Sequence, residues 1–464
     1  MHALILSLLL GADPAATQAW PGFRGDGTGL STARHLPVSW SAKEGIAWKT
    51  SLPGYGQSAP VVWGNRVYVT AVEGEDKEKY HLVAVDANTG TAVWTKEFAA
   101  SQKGRNNPMM SRAAPTPVVD ADGVYAFFEG GDLVGLNHAG EVKWQRSLVK
   151  EYGEFKNNHG LGSSLAQTAG TVIVQVDHAG PSYLLAADKK TGKNHWKTDR
   201  PSKTSWTTPV VTTRGGKPMA LVSSGGTLSA YDTDTGKILW THEGLTGNNI
   251  VSPTVHENRV IIGAGENRMN PDLVASAKSN CCLLLTGNEP GYELVWQGKK
   301  AICHHASPLI HQGHVYFVTK TGVVYCVDLK TGEERYSERL DNQCWATPVA
   351  AGDAIYFFGK DGMTTILKAG SKYEKIASNR LWNQDDLDAR KEAEKKAVAA
   401  KAPARPEGKG PGGGPPLSKE ELEATRHSAV GDVVYGVAAV EGTFFIRTGT
   451  ELICVRDPKT ISRR

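Results

Sequence analysis

The sequence predicts an all-β fold, an eight-bladed β-propeller made of four-stranded blades. The first observation is a recurring segment: YDTDTGKILW ends at Trp240, and similar segments end at Trp94, Trp196 and Tyr336. The second observation is the spacing: with three looser copies, the closing aromatic or apolar residues recur about every 40 to 56 residues, the length of one four-stranded blade. The third observation is an unpartnered strand near the N-terminus and a three-stranded unit at the C-terminus, which together would complete one more blade.

Each repeat has the pattern of strands joined by tight turns. Apolar residues alternate in RVYVT (residues 66–70) and GVYAF (residues 123–127), which is the period of a β-strand. The Asp-x-x-Thr-Gly segment predicts a hairpin, because Asp bonds the following backbone and Gly accepts a positive φ. The Trp four residues later falls on the outermost strand, where its ring would wedge between blades. This structural role is predicted for Trp48, Trp94, Trp144, Trp196, Trp240 and Trp296, and for Gly90, Gly192, Gly236 and Gly332.

The two ends of the chain are expected to share one blade. Residues 45–50 (GIAWKT) resemble a fourth strand with no blade before it, and residues 429–455 supply three strands with no fourth. Joining them closes the ring and removes unpaired strand edges. The eight blades are predicted to start near Ser58, Ala114, Gly162, Thr207, Val251, Ala306, Ala346 and Ser428.

The pattern Ala-x-Asp-x-x-Thr-Gly-x-x-x-Trp resembles the repeat of the pyrroloquinoline-quinone (PQQ)-like eight-bladed propellers. That superfamily includes quinoprotein alcohol dehydrogenases and outer-membrane assembly propeller lipoproteins. The resemblance runs from about Trp40 to Val455. It implies the fold, but turn and wedge residues carry it, and one propeller scaffold hosts unrelated activities.

The N-terminus predicts export. Residues 3–10 (ALILSLLL) are apolar but too short to span a bilayer, and small residues lead up to Ala19, which predicts a signal peptide over residues 1–19 and a propeller over residues 20–457. The first cysteine is Cys281, so the lipid-bearing cysteine that the assembly lipoproteins carry just after the signal is absent from that position. We therefore expect a periplasmic or extracellular protein. Residues 20–24 (WPGFR) resemble the start of many exported propellers of this superfamily.

Composition limits the partners. The formal charge is +4 over 464 residues, and no basic stripe with interleaved aromatics occurs, so nucleic acid is not expected. Residues 385–425 interrupt the repeat between blades seven and eight with a charged, then Pro/Gly-rich insertion, predicted to be part helix and part flexible. This insertion is either a solvated loop or a partner-binding arm. We expect a monomer without a transmembrane segment, whose partner is an unknown protein or small molecule.

The six cysteines fall into three groups. Cys326 and Cys454 occupy a small-residue position of the third strand, which predicts buried thiols. Cys303 and Cys344 precede the first strands of adjacent blades, so an exported setting would allow a disulfide between them. Quinoprotein dehydrogenases place a vicinal disulfide beside PQQ early in the chain. Here the adjacent pair at residues 281–282 begins the third strand of blade five, which favours packing or a structural vicinal bond over a cofactor role.

Enzyme motifs are scarce. The chain has no haem-attachment motif, no phosphate-binding loop and no Gly-x-Ser-x-Gly elbow. The calcium site of the dehydrogenases has no matching residues that could be assigned, and the Asn pairs of the chain are typical of turns. We therefore predict a non-catalytic binding or scaffolding module, with no catalytic or metal residues and no cofactor. The alternative is a PQQ-dependent alcohol or sugar dehydrogenase that binds quinone and calcium at the channel mouth.

The repeat phase locates a candidate site. First strands line the central axis, so residues at their beginnings converge on one mouth of the channel. The predicted ligand-binding residues are Gln57, Arg112, His159, Trp206, Asn249, His304, His305, Trp345 and His427. Aromatic rings flanked by imidazoles suit a flat polar or anionic ligand, although the same side chains would also serve to fill the channel. His304 and His305 are expected to point oppositely on a strand, which disfavours a metal site.

Overall fold

The structure, a computed structural model, describes residues 18–33, 35–106, 110–266, 272–383, 385, 388, 392 and 433–457. It contains eight separate antiparallel sheets, each of which forms one blade. The predicted all-β eight-bladed propeller is therefore confirmed. The predicted insertion at residues 385–425 and residues 1–17 of the predicted signal peptide lie almost wholly outside the described residues.

Two strands precede the first repeat, β1 (Ala19–Trp20) and β2 (Ile46–Ser51). Blades one to four then follow in chain order. They consist of β3 (Val61–Trp63), β4 (Arg66–Glu73), β5 (Lys79–Asp86) and β6 (Ala92–Ala99); β7 (Val118–Val119), β8 (Val124–Phe127), β9 (Asp132–Leu136) and β10 (Val142–Ser147); β11 (Ala166–Gln167), β12 (Thr171–Val176), β13 (Ser182–Asp188) and β14 (Asn194–Arg200); β15 (Val210–Arg214), β16 (Lys217–Ser224), β17 (Thr227–Asp232) and β18 (Ile238–His242). A short helix, α1 (Leu148–Tyr152), follows blade two and is capped by Ser147.

Blades five to eight continue the pattern. They consist of β19 (Thr254–His256), β20 (Arg259–Ile262), β21 (Cys281–Leu285) and β22 (Tyr292–Gln297); β23 (Leu309–His311), β24 (His314–Val318), β25 (Val323–Asp328) and β26 (Glu334–Arg339); β27 (Val349–Ala351), β28 (Ala354–Phe358), β29 (Met363–Lys368) and β30 (Lys375–Arg380); β31 (Gly436–Val440), β32 (Thr443–Arg447) and β33 (Glu451–Arg456). Helix α2 (Leu273–Lys278) lies between the second and third strands of blade five and is capped by Asp272.

The ring closes as predicted. The N-terminal β2 pairs antiparallel with β33, with Trp48 opposite Cys454, and so becomes the outermost strand of blade eight. The first strand of this blade begins at Gly436, not near Ser428. The predicted start near Ser428 was wrong because the sequence Ser428-Ala429-Val430 is similar to Ser58-Ala59-Pro60, where blade one starts.

Tryptophans connect neighbouring blades along the outer edge. Trp48 lies over Gly90 of the next blade, and its Nε1 donates to the carbonyl oxygen of Ala87 at 3.2 Å. A Cβ on Gly90 would lie 2.6 Å from Cδ2 of Trp48, so only glycine allows this approach. The same arrangement recurs around the ring, in Trp94 over Gly140, Trp144 over Gly192, Trp196 over Gly236, Trp240 over Gly291 and Trp296 over Gly332.

Hydroxyl groups connect the blades near the axis. The N–H of Ala59 donates to the hydroxyl of Thr116 in the next blade at 3.0 Å. Five further steps of the same kind lead from Thr116 through Ser164, Thr208, Ser252 and Ser307 to Thr347. We refer to this chain of bonds as the hydroxyl ladder. In blade eight the equivalent residue is Gly436, which packs directly on Ala59, so the described ladder ends at the blade that joins the two chain ends.

All six cysteines are free thiols buried in the core, including Cys326 and Cys454 as predicted. Adjacent Cys281 and Cys282 point to opposite faces of β21 and pack in two different clusters between blades. Cys303 and Cys344 also lie in different clusters, so neither of the disulfides considered from the sequence is present.

Candidate functional site

The two mouths of the channel differ. We refer to the mouth at which the inner strands begin as the upper mouth, and to the mouth at which they end as the lower mouth. At the lower mouth, Ala19 and Trp20 of β1 pair with β3, and the following residues cross the axis. The described residues among those predicted from the repeat phase lie at the upper mouth, so any site that they form is at the opposite end from this N-terminal segment.

A cavity of about 770 Å³ opens at the upper mouth on the side of blades three to six. Five of the predicted site residues line it together with Ile250 and Glu266: His159, Trp206, Asn249, His304 and His305. His304 and His305 lie in a bend rather than on a strand, and both line the same cavity. The expectation that only one of them could face the channel is therefore wrong, because it assumed the alternation of a strand.

Backbone bonds between blades hold these residues in place. Gln57 and Arg112 bond each other twice, since the N–H of Gln57 donates to the Arg112 carbonyl at 3.0 Å and the N–H of Arg112 donates to Gln57 Oε1 at 2.9 Å. The N–H of Trp206 donates to the Asn249 carbonyl at 2.8 Å, and its indole donates to the Gly160 carbonyl at 2.8 Å. The ring of His159 meets Trp206 edge to face at 5.9 Å. Hydrogen bonds between blades therefore connect these residues around the upper mouth.

A row of rings runs across the other side of the upper mouth. His305 lies 5.3 Å from Trp345, Trp345 lies 6.4 Å from Tyr435, and Tyr435 lies 6.0 Å from Tyr55, measured between ring centroids. The two tyrosine hydroxyls are hydrogen-bonded at 2.7 Å. We refer to these four residues as the aromatic row. It spans blades six, seven, eight and one.

Cations lie on the aromatic row. The guanidinium of Arg112 stacks on Tyr55, with its central carbon 3.3 Å from the ring centroid, and Lys360 Nζ lies 4.2 Å from the ring of Trp345. The Nε and Nη2 atoms of Arg112 are buried and have no hydrogen-bond partner within the described part of the chain. The neighbouring carboxylate of Glu129 accepts from the Ala113 N–H at 3.0 Å and pairs with Lys77 at 3.4 Å. Arg112 is therefore a buried donor with spare hydrogen-bonding capacity.

A second guanidinium lies beneath the aromatic row. Arg447 is fully buried and donates to the carbonyl oxygens of Thr70 at 3.3 Å and Glu451 at 3.4 Å. No carboxylate among the described residues forms an ion pair with it. Burial lowers the pKa of Arg447 to about 9, so the group is still a cation at neutral pH. The same burial raises the pKa of Tyr55, which therefore stays a neutral phenol.

Sequence reasoning missed Tyr55, Lys360, Tyr435 and Arg447. The repeat phase covers residues just before the inner strands. Arg447 is the last residue of β32 and Lys360 lies two residues after β28, and these second strands return to the upper mouth. Examining the residues that end or follow each second strand, as well as those that precede each first strand, would have found Lys360 and Arg447. His427 lies outside the described residues. With blade eight starting at Gly436, the repeat phase falls at Val434, which is buried.

The calcium of the dehydrogenases does not fit the described residues of this site. Calcium takes six to eight oxygen ligands, several of them carboxylates. The described residues contain no cluster of three His, Cys, Asp or Glu side chains that could hold a metal, and Glu266 is the one carboxylate that lines the cavity. Cys281 and Cys282 are buried between blades and supply no disulfide at the upper mouth.

Comparison with known proteins agrees with this architecture. Residues 13–182, 140–275 and 288–463 match a family model described as outer membrane protein assembly factor BamB. The chain belongs to this family. BamB of Burkholderia pseudomallei (strain K96243) is 28% identical over 221 residues, which cover 47% of this chain and 52% of the relative. The chain thus spans about half the length of the curated BamB relative that it matches.

Two solved structures share the fold. BamB from Moraxella catarrhalis superimposes with a TM-score of 0.55 at 12% identity, over 89% of this chain and 97% of that one. Quinohemoprotein alcohol dehydrogenase from Comamonas testosteroni gives a TM-score of 0.59 at 13% identity, over 96% and 81%. At such identities the likeness shows the fold alone, and it is shared by a BamB and a dehydrogenase. None of the described helices is long and apolar enough to cross a membrane.

Proposed function

We propose that this protein is an exported, non-catalytic propeller that binds an anionic ligand at the upper mouth of its channel. The observation that carries the proposal is the pair of buried guanidiniums, Arg112 and Arg447, beside the aromatic row, without a carboxylate partner among the described residues. A buried cation without a counter-charge is costly, and an anion that binds there recovers part of that cost.

The geometry defines the ligand chemistry. Aromatic faces favour a flat or ring-bearing group, and guanidinium favours a carboxylate or phosphate. The imidazoles of His159, His304 and His305 line the same cavity and add hydrogen-bonding groups, and histidine is the side chain that most often makes binding depend on pH. The adjoining cavity of about 770 Å³, which meets the aromatic row at His305, lies within the size range of small-molecule sites.

Family membership supports a role in the bacterial envelope. The matching relative is named as an outer membrane protein assembly factor, and we infer that this chain likewise faces the periplasm, associated with the outer membrane, and serves as a binding or scaffolding module. The predicted signal peptide supports the same location. The mature N-terminus of the exported protein tests that inference: cleavage before Trp20 agrees with it, and an intact residue 1 contradicts it.

Tryptophan fluorescence tests the binding proposal. Quinones, sugars and short peptides are screened, each in an acidic and a neutral form, against wild type and variants. Trp345→Ala should weaken binding by about 1 to 3 kcal/mol, as expected for a stacking contact. Trp345→Phe, which keeps a ring, should retain most of the affinity. Arg112→Gln should abolish the preference for the acidic form, and His305→Ala should remove part of the pH dependence.

The proposal fails if no probe binds, or if a bound probe keeps its affinity in all four variants, because the ligand then lies elsewhere. A partner role of residues 385–425 is tested separately. Deleting this insertion should release a captured envelope protein if it is a partner-binding arm, and should leave capture unchanged if it is a solvated loop.

A further inference from the structure

The lower mouth is crossed by residues 18–31, which contact every blade of the ring. At the start, Ala19 and Trp20 pair with Trp63 and Val62 of β3, so β1 forms an extra strand inside blade one. The N–H of Gly64 also donates to the carbonyl oxygen of Gln18 at 3.1 Å. This start anchors the segment to the inner strand of blade one.

The middle of the segment bonds to blades two and three. The carbonyl oxygen of Pro21 accepts from the N–H of Val119 at 2.9 Å and from Nε2 of Gln167 at 3.3 Å. It thereby satisfies a backbone donor at the end of β7 and a side-chain donor on β11, which belong to adjacent blades.

Arg24 reaches the far side of the ring. It is 4% exposed, and its guanidinium donates to Thr254 Oγ1 and to the Pro253 carbonyl oxygen, both at 2.6 Å. These acceptors belong to blade five, which lies opposite blade one in a ring of eight. The backbone of Arg24 has φ of 61°, a left-handed conformation that is uncommon for a non-glycine residue.

The end of the segment bonds to blades seven and eight. The carbonyl oxygen of Gly29 accepts from the N–H of Ala350 at 3.1 Å, and the N–H of Ser31 donates to the Ala350 carbonyl at 2.8 Å. The hydroxyl of Ser31 donates to the Ala439 carbonyl at 2.8 Å. The two ends of the segment are therefore bound to blades one and eight, on either side of the point where the described hydroxyl ladder ends.

Glycines allow the segment to approach the remaining blades. A Cβ on Gly27 would lie 3.4 Å from Val210 of blade four, and a Cβ on Gly29 would lie 3.1 Å from Leu309 of blade six. Both glycines have positive φ, of 94° and 77°. The sequence GFRGDGTG thus supplies left-handed conformations and small side chains where the chain turns across the axis.

We propose that residues 20–31, the part of this segment that remains after the predicted cleavage, act as a clasp. They seal the lower mouth and hold the ends of the inner strands together, so that, in the part of the chain that the structure describes, the channel opens at the upper mouth. The polar atoms of the clasp bond to one blade after another around the ring, which a terminal segment lying on a single blade would not do.

Hydrogen–deuterium exchange in the full mature protein tests the clasp. Arg24→Met removes both bonds to blade five at similar side-chain volume, and Gly29→Ala places a Cβ against Leu309 as a second, milder variant. Local opening exposes amides independently of global unfolding. We expect the amides of Val119 and Ala350, which bond to the clasp, to exchange at least about tenfold faster in both variants.

The amides of Thr116, Ser164 and Thr208 in the hydroxyl ladder serve as the internal reference and should be unchanged. Thr32→Ala, at an exposed position just after the clasp, is the matched control and should leave all of these rates unchanged. Unchanged exchange at Val119 and Ala350 in both variants would overturn the proposal. An equal increase at ladder and lower-mouth amides would also overturn it, because the substitutions would then act on global stability alone.

Discussion

Replacing Gly90 with alanine tests how the blades are joined at the outer edge. Gly90 has φ of 76°, where an alanine costs about 1 to 2 kcal/mol. The new Cβ would lie 2.6 Å from the ring of Trp48, so the indole must move. Its hydrogen bond to Ala87 is then lost, at about 1 kcal/mol, and overpacking adds about 1 to 3 kcal/mol. We expect a loss of about 3 to 6 kcal/mol in the free energy of unfolding.

The matched control is Gly216→Ala. Gly216 has the same φ of 76°, but no atom lies within 4 Å of its Cβ position. It should therefore lose only the conformational term of about 1 to 2 kcal/mol. Urea denaturation followed by circular dichroism measures both, provided that each variant unfolds in one transition. Equal shifts of the two midpoints would refute the reasoning, since the tryptophan contact would then add nothing to inter-blade stability.

Three further predictions concern the core, the turns and the ring closure. All six cysteines are buried, and burial raises the pKa of the thiols of Cys303 and Cys344 to about 12. Ellman's reagent at pH 8 should therefore modify none of the six thiols of the folded protein within minutes, and all six after unfolding. Rapid reaction of the folded protein would contradict the described burial. A hydrogen bond from Arg335 lowers the pKa of Asp328 to about 2. The ionised carboxylate therefore stabilises the fold fully above the ordinary pKa of 3.8, and this stabilisation is lost as pH falls towards 2. Asp328→Asn should make the free energy of unfolding less dependent on pH in this range, and an unchanged pH dependence would contradict the role of this hydrogen bond. Deleting residues 20–52 removes the clasp and β2, and should abolish cooperative folding; a single transition near the wild-type temperature would contradict the closure.

The blade architecture was predictable because its signals are local. Asp232, for example, accepts from the N–H groups of Asp234 and Thr235 inside one turn, and the same turn recurs at each Asp-x-x-Thr-Gly segment. The Trp that follows meets the glycine of the next blade at a constant repeat spacing. Local turn chemistry and a fixed period are therefore enough to specify the fold and its closure.

The candidate site was only partly predictable, because it depends on contacts between distant blades. Tyr55 and Tyr435 are hydrogen-bonded although 380 residues separate them, and the repeat pattern does not predict that these two residues pair. The bend at residues 304–306 also escaped prediction, since the strand period was extended beyond the strand. The path of the clasp followed from no pattern in the sequence, because most of its partners are backbone groups of the inner strands, and its two side-chain partners, Gln167 and Thr254, lie on different blades.

The central claim is that the upper mouth binds a ligand and does not oxidise one. The most direct test supplies the purified protein with PQQ and calcium and measures dye-linked oxidation of alcohols and sugars. We expect no dye reduction above that of PQQ and calcium without protein, because the described upper mouth has no group of side chains that could hold calcium. Turnover that requires both PQQ and calcium, and that Trp345→Ala abolishes, would contradict the claim and assign the chain to the dehydrogenases.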